Sequence, residues 1–220
     1  DWLEISALFT YGGRSRDVFH CPEDKYYGIS KKEGWPERIR SYSINIYAGG
    51  WSGWPFYGDQ MWKIYRQQSD FRDPAMRFVL MDMDDESINA GNYRVDMAGW
   101  PNNPNLYRFR QDWPASWHNN GCTILFADGH AERKKWLHED TLQVGFNPHQ
   151  GSGVKNSPGN QDIAWMQERA TRPEQGWQQS GWARQWTGAM HLKPWKWWGY
   201  WRMPGEISAD SLSPRPNYAD

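Results

Sequence analysis

Residues 122–136 read Cys122-Thr123-Ile124-Leu125-Phe126-Ala127-Asp128-Gly129-His130-Ala131-Glu132-Arg133-Lys134-Lys135-Trp136, two β-compatible runs on either side of an Asp-Gly pair. Such a pair favours a two-residue type I′ turn, in which both central residues take positive φ. The segment predicts a hairpin with strands near 122–127 and 130–136. In that register Ala127 faces His130 and Leu125 faces Glu132. A hairpin needs further strands to bury one of its faces, so the rest of the chain must supply a sheet.

Composition says what kind of sheet. The 220 residues include 17 Trp, 11 Tyr and 8 Phe, so a hydrophobic fraction of 38% conceals few aliphatic side chains. Large rings with a polar edge suit small cores, interfaces and sugar-stacking surfaces alike. With 21 Gly and 14 Pro, short strands and many turns are expected, not a helical bundle. A net charge of −1, from 25 basic and 26 acidic residues, leaves no electrostatic footprint for nucleic acid or an anionic membrane. The two cysteines, Cys21 and Cys122, are too few for a cysteine-only zinc site. In an oxidising compartment they could pair, and the sequence leaves that open.

Along the chain, Leu3, Ile5, Leu8 and Phe9 form a short helical pattern ended by Gly12-Gly13. Residues 41–47 alternate like a half-buried strand, and residues 76–82 read as a buried one. Together they predict two strands of one sheet with Tyr42, Ile44, Phe78 and Leu80 buried. An acidic loop follows from Asp82 to Asn92. Residues 148–159, rich in Gly, Ser, Asn and Pro, read as a linker. Beyond them Asn160 is placed to cap a short helix over residues 162–169. This gives residues 1–147 as one globular domain and residues 148–220 as a Trp-rich C-terminal extension packing on it or on a neighbouring subunit. The fold class expected is α+β, an antiparallel sheet with short helices and long loops.

His118, nine intervening residues, then Asp128-Gly129 is a recurrent signature. Three other segments accompany it in order: Cys21-Pro22-Glu23-Asp24, Ser41-Tyr42-Ser43-Ile44-Asn45, and Val79-Leu80-Met81-Asp82. Across roughly residues 1–140 the chain resembles the prepilin-type H-X9-DG family of type IV pilin-like (pseudopilin) proteins. The family motif positions are Cys21, Pro22, His118, Asp128 and Gly129. The resemblance implies a pilin-like fold and a structural subunit of an extracellular bacterial filament, a type IV pilus or a type II secretion pseudopilus. It also implies self-assembly with other pilin-like subunits and no catalytic residues. The chain departs from the family at both ends. It starts at Asp1-Trp2, as a mature or truncated product would, without the apolar N-terminal helix through which family members reach the membrane. The Trp-dense tail has no counterpart.

Several constellations could carry chemistry. Asp82, Asp84, Asp85, His118 and His130 offer carboxylate and imidazole ligands for a metal. The acidic loop, with Glu86, Asn89 and Asn92, has a calcium-like composition without the spacing of an EF-hand. Each has a plainer reading: turn geometry accounts for Asp128-Gly129, a bond to a backbone carbonyl would let His118 pin the loop, and solvation accounts for the acids. His130-Ala131-Glu132 imitates a deaminase His-x-Glu but lacks the downstream cysteine pair. No phosphate-cradling glycine loop and no nucleophile elbow occurs. The expectation is no resident cofactor, with calcium the one candidate.

The tail carries Trp182, Trp186, Trp195, Trp197, Trp198 and Trp201. Rings at this density exceed what an isolated surface leaves exposed, so some are expected in a small core of the chain itself, and the others against another subunit or, second, a glycan. Two alternatives to the structural role therefore stand: a cell-surface carbohydrate-binding protein, and a metal-dependent hydrolase built around His118 and Asp128.

Overall fold

A computed structural model of the chain describes residues 4, 7–25, 39–49, 62–85, 87–88, 91–142 and 153–173. Its elements in order are α1 (Ala7–Tyr11), β1 (Tyr42–Asn45), β2 (Phe78–Asp82), β3 (Asn92–Tyr93), β4 (Arg108–Arg110), β5 (Gly121–Phe126), β6 (Ala131–Lys135), β7 (Val154–Asn156) and α2 (Gln161–Ala170). The Trp-rich tail, and with it Trp182, Trp186, Trp195, Trp197, Trp198 and Trp201, lies outside the described residues, as do Glu86 and Asn89 of the acidic loop. Among the described residues no helix is long and apolar enough to cross a membrane.

The five longer-range strands form one sheet in the order β3-β1-β2-β5-β6, and β4 and β7 form a second, two-stranded one. The architecture is α+β, as expected, but the main sheet is mixed instead of antiparallel. β1 pairs antiparallel with β2, β2 with β5 and β5 with β6, whereas β3 runs parallel to β1 through Ile44↔Asn92 and Asn45↔Tyr93. The physical reason is occupancy. Both edges of β2 are taken, so the chain that turns back after Asp82 pairs with the free edge of the neighbouring β1 and runs parallel to it.

The face of β1 that points inward is the polar one. Ser43 and Asn45 are buried, while Tyr42 and Ile44 are only half-buried, and Leu80 on β2 is half-buried too. Phe78 is buried as expected. Alternation fixes that two faces exist but not which one meets the core. Here Asn45 decides: its Nδ2 donates to the carbonyls of Phe78 at 2.9 Å and Ala170 at 2.8 Å, and its Oδ1 accepts from the Tyr47 amide.

The core over this sheet is aromatic, with Trp62, Tyr65, Phe78, Tyr93, Tyr107, Phe109, Trp113, Phe126 and Trp136 all buried. Phe109 stacks on Trp113 at 3.9 Å between centroids, and Trp136 meets Trp165 edge to face, a geometry that ring quadrupoles favour. β5 sends Cys122, Ile124 and Phe126 inward. β6 carries Glu132, Arg133, Lys134 and Lys135, mostly exposed, which is how an edge strand avoids pairing with another chain.

The core does not stop at residue 147. Asn160 caps α2 by accepting from the amides of Asp162 at 2.9 Å and Ile163 at 3.3 Å, and α2 buries Ile163, Met166 and Ala170 against the sheet. Within the segment read as a linker, Val154–Asn156 is strand β7, paired with β4.

The hairpin is present with a different turn. Leu125 faces Ala131, Ile124 faces Glu132, and the Phe126 amide donates to the His130 carbonyl at 2.9 Å. The loop is thus three residues, Ala127-Asp128-Gly129, and the register is one residue off the expected one. Only Gly129 has positive φ, at 94°, and its amide donates to the Phe126 carbonyl. This is a type I turn followed by a left-handed glycine. Asp128 makes it possible, because its Oδ1 accepts from the His130 amide at 3.1 Å.

Candidate functional site

Four separate segments meet beside the open end of β2. In the first, the Asp24 amide donates to the Cys21 carbonyl at 3.0 Å, closing a turn in which Pro22 supplies the preset φ of the second position. Ser41, at the start of β1, locks that turn in place. Its Oγ accepts from the Cys21 amide at 3.0 Å and donates to Asp24 Oδ2 at 2.7 Å. Its carbonyl accepts from Met83, so the turn is fastened to the end of β2.

His118 arrives from the loop before β5. Asn119 and Asn120 both adopt left-handed backbone, at φ 51° and 58°, which asparagine tolerates better than most residues. The chain then reverses so tightly that the His118 amide donates to the Gly121 carbonyl at 3.1 Å. Arg133 on β6 donates to the carbonyls of His118 and Asn119. A Cβ at position 121 would collide with the Lys134 carbonyl, so only glycine lets β5 begin there.

The result is a cluster of Cys21, Asp82 and His118, whose ligand-type atoms all lie within 4.8 Å of one another. His118 Nε2 is 3.3 Å from Cys21 Sγ and 3.3 Å from Asp82 Oδ2. Asp82 is fully buried; its Oδ2 accepts from the Thr123 amide at 2.7 Å, and its Oδ1 has no hydrogen-bond partner among the described residues. Burial pushes the Asp82 carboxyl above its ordinary value, and the Thr123 amide and His118 offset only part of that. Burial likewise raises the Cys21 thiol, against the backbone amides of Glu23 and Asp24, which favour the thiolate. Tyr42, paired with Asp82 across β1 and β2, is pushed up to about 12 by burial and by the charges of Asp82 and Cys21.

The contacts of His118 differ from the expected bond to a backbone carbonyl: its Nε2 faces a thiol and a carboxylate together. That brings a nucleophile and a carboxylate to one imidazole, yet not as a relay. A catalytic triad uses opposite ring nitrogens, one for the nucleophile and one for the orienting acid, whereas here both partners approach Nε2. The thiol is also 3% exposed with its pKa raised, the reverse of an activated cysteine. A thiol, an imidazole and a carboxylate are thus brought within 4.8 Å of one another.

The other sequence candidates fall elsewhere. His130 Nδ1 lies 2.6 Å from Asp128 Oδ1 and the His130 ring stacks on Phe126 at 4.4 Å, so both serve the hairpin and neither joins Asp82. Asp84 is buried, not solvated, and its carbonyl accepts from Ser87. Neither Asp84 nor Asp85 enters the metal-type cluster found among the described residues. Cys21 and Cys122 are both buried free thiols. Cys21 is the cluster residue that ligand reasoning from the sequence omitted, although its Cys-Pro-x-Asp box marked the position.

A second charged cluster also escaped the sequence reading. Alternation along β4 puts Arg108 and Arg110 on one face, and both Nε atoms donate to Asp96 Oδ2 at 2.8 Å. Burial works to raise the Asp96 carboxyl, but Arg108, Arg110 and Arg94 override it and hold the carboxyl below its ordinary value. Its Oδ1 accepts from the Ala98 amide, which leaves a satisfied structural network. No protein-family model, curated protein or solved structure matches the chain.

Proposed function

We propose that the chain is the globular part of a pilin-like structural subunit of an extracellular bacterial filament or secretion pseudopilus, working through its surfaces and not by catalysis. One observation supports the reading. Cys21, Asp24, Ser41, Asp82 and His118 come from four boxes separated in sequence, and they contact one another directly in a largely buried cluster. Residues engaged in fastening segments together, in a largely buried cluster, fit a scaffold better than an active centre. The Trp-rich segment, with Trp195, Trp197, Trp198 and Trp201, is then the lateral contact between subunits.

Electron microscopy of native material with an antibody to this chain tests the proposal. Labelled filaments or short pseudopili are the expected result, with the tail tryptophans less accessible to an aqueous quencher in the assembled form than in isolated subunits. A chain that is monomeric in its native setting overturns it. In that case, protection of the same tryptophans by oligosaccharides would support the carbohydrate-binding alternative.

A further inference from the structure

We propose that Cys21 Sγ, Asp82 and His118 Nε2 bind a single divalent transition-metal ion of the zinc class. The first argument is distance. Tetrahedral zinc with metal–ligand bonds of about 2.0–2.3 Å holds its nitrogen and oxygen ligands about 3.4 Å apart and its sulfur and nitrogen ligands about 3.6 Å apart. The separations here are 3.3 Å for His118 Nε2 to Asp82 Oδ2 and 3.3 Å for His118 Nε2 to Cys21 Sγ. A charge-assisted imidazole–carboxylate hydrogen bond would draw in to about 2.7–2.9 Å.

The second argument is the unpaired oxygen. Asp82 is 0% exposed, and its Oδ1 is a buried acceptor with no partner among the described residues. Buried polar atoms are nearly always satisfied, and an exception points to an ion or water that belongs there. The neighbouring Oδ2, the oxygen that faces His118 Nε2 at 3.3 Å, also accepts from the Thr123 amide at 2.7 Å, which fixes the carboxylate plane so that an ion in the cluster would meet both of its oxygens.

The third argument is donor chemistry. One thiol, one imidazole and one carboxylate suit zinc and similar borderline ions, whereas calcium and magnesium select all-oxygen sets. The His118 side chain is 24% exposed, which gives the ion a route in. An ion held here would cross-link the Cys21 turn, the end of β2 and the loop before β5. The inference does not rest on the filament reading and holds for a monomer equally.

The experiment uses the full 220-residue chain, stripped with a chelator, kept reduced, and titrated with Co2+ and then Zn2+. The expected result is one Co2+ per chain, with thiolate-to-cobalt charge-transfer absorption in the near ultraviolet that Zn2+ displaces. Cys21→Ser should abolish that absorption and weaken Zn2+ binding by at least about 100-fold, and His118→Gln should weaken it comparably. Cys122→Ala should leave the absorption intact. Because Cys21→Ser could also loosen its turn, thermal unfolding is followed with and without Zn2+. Zn2+ should raise the midpoint of the wild type and not that of Cys21→Ser. Absence of charge transfer in the wild type, its survival in Cys21→Ser, or an equal Zn2+ shift in both chains overturns the proposal.

Discussion

The side-chain amide of Asn45 donates to the carbonyl of Ala170 at 2.8 Å across 125 positions of sequence, so the polar end of β1 closes the C-terminal end of α2. The same nitrogen serves the Phe78 carbonyl at 2.9 Å. Asn45→Ala would orphan two buried acceptors and the Tyr47 amide, at a cost of about 2–4 kcal/mol. Asn45→Asp keeps the shape but cannot donate, and it buries a charge, so it should cost at least as much. Urea unfolding followed by tryptophan fluorescence measures both, and a loss below about 1 kcal/mol for either would show that this link is dispensable.

Two glycines of the hairpin should fail for different reasons. Gly129→Val places a β-branched residue at a φ of 94° and should destabilise by roughly 1–3 kcal/mol. Nothing lies within 4 Å of a Cβ built there, so the cost is backbone strain alone, and Gly129→Asn should recover most of it. Gly121→Ala meets the Lys134 carbonyl instead. It should separate β5 from β6 at their open end and displace the His118 loop, costing roughly 1–3 kcal/mol. Hydrogen exchange of the Thr123 amide reports that displacement, and unchanged protection would argue against it.

Asp96 supplies the pH dependence. Its carboxyl sits below the ordinary value of 3.8 in the folded chain, so the folded state binds fewer protons than the unfolded state in the interval between. The stability it contributes is full above about 3.8 and is lost as pH falls through the lower folded value. Asp96→Ala leaves Arg108 and Arg110 facing an empty site and should cost about 3–5 kcal/mol at neutral pH. The gap between wild type and Asp96→Asn should narrow as pH drops from about 4 to about 2. Unfolding free energies across that interval check the sign, and a gap that widens on acidification contradicts it.

What the sequence determined alone was local. Alternation at residues 41–47 and a buried run at 76–82 marked two strands of one sheet, Asp128-Gly129 placed a hairpin, and Asn160 capped α2, because turn, cap and pleat are set by residues a few positions apart. The sequence also singled out Asp82 and His118 as ligand types and Cys21 as a motif position, without bringing the three together. Tertiary structure decided the rest. It chose the polar face of β1 for the core, since the carbonyl that Asn45 satisfies comes from a helix at the far end of the chain. It set a three-residue loop at the hairpin tip, since the Asp128 carboxylate binds the His130 amide and leaves positive φ to Gly129 alone. It also joined Cys21 to His118 and detached His130, Asp84 and Asp85 from that cluster. Ligand distance is fixed by strand order and register, and neither is encoded in the spacing of any one segment.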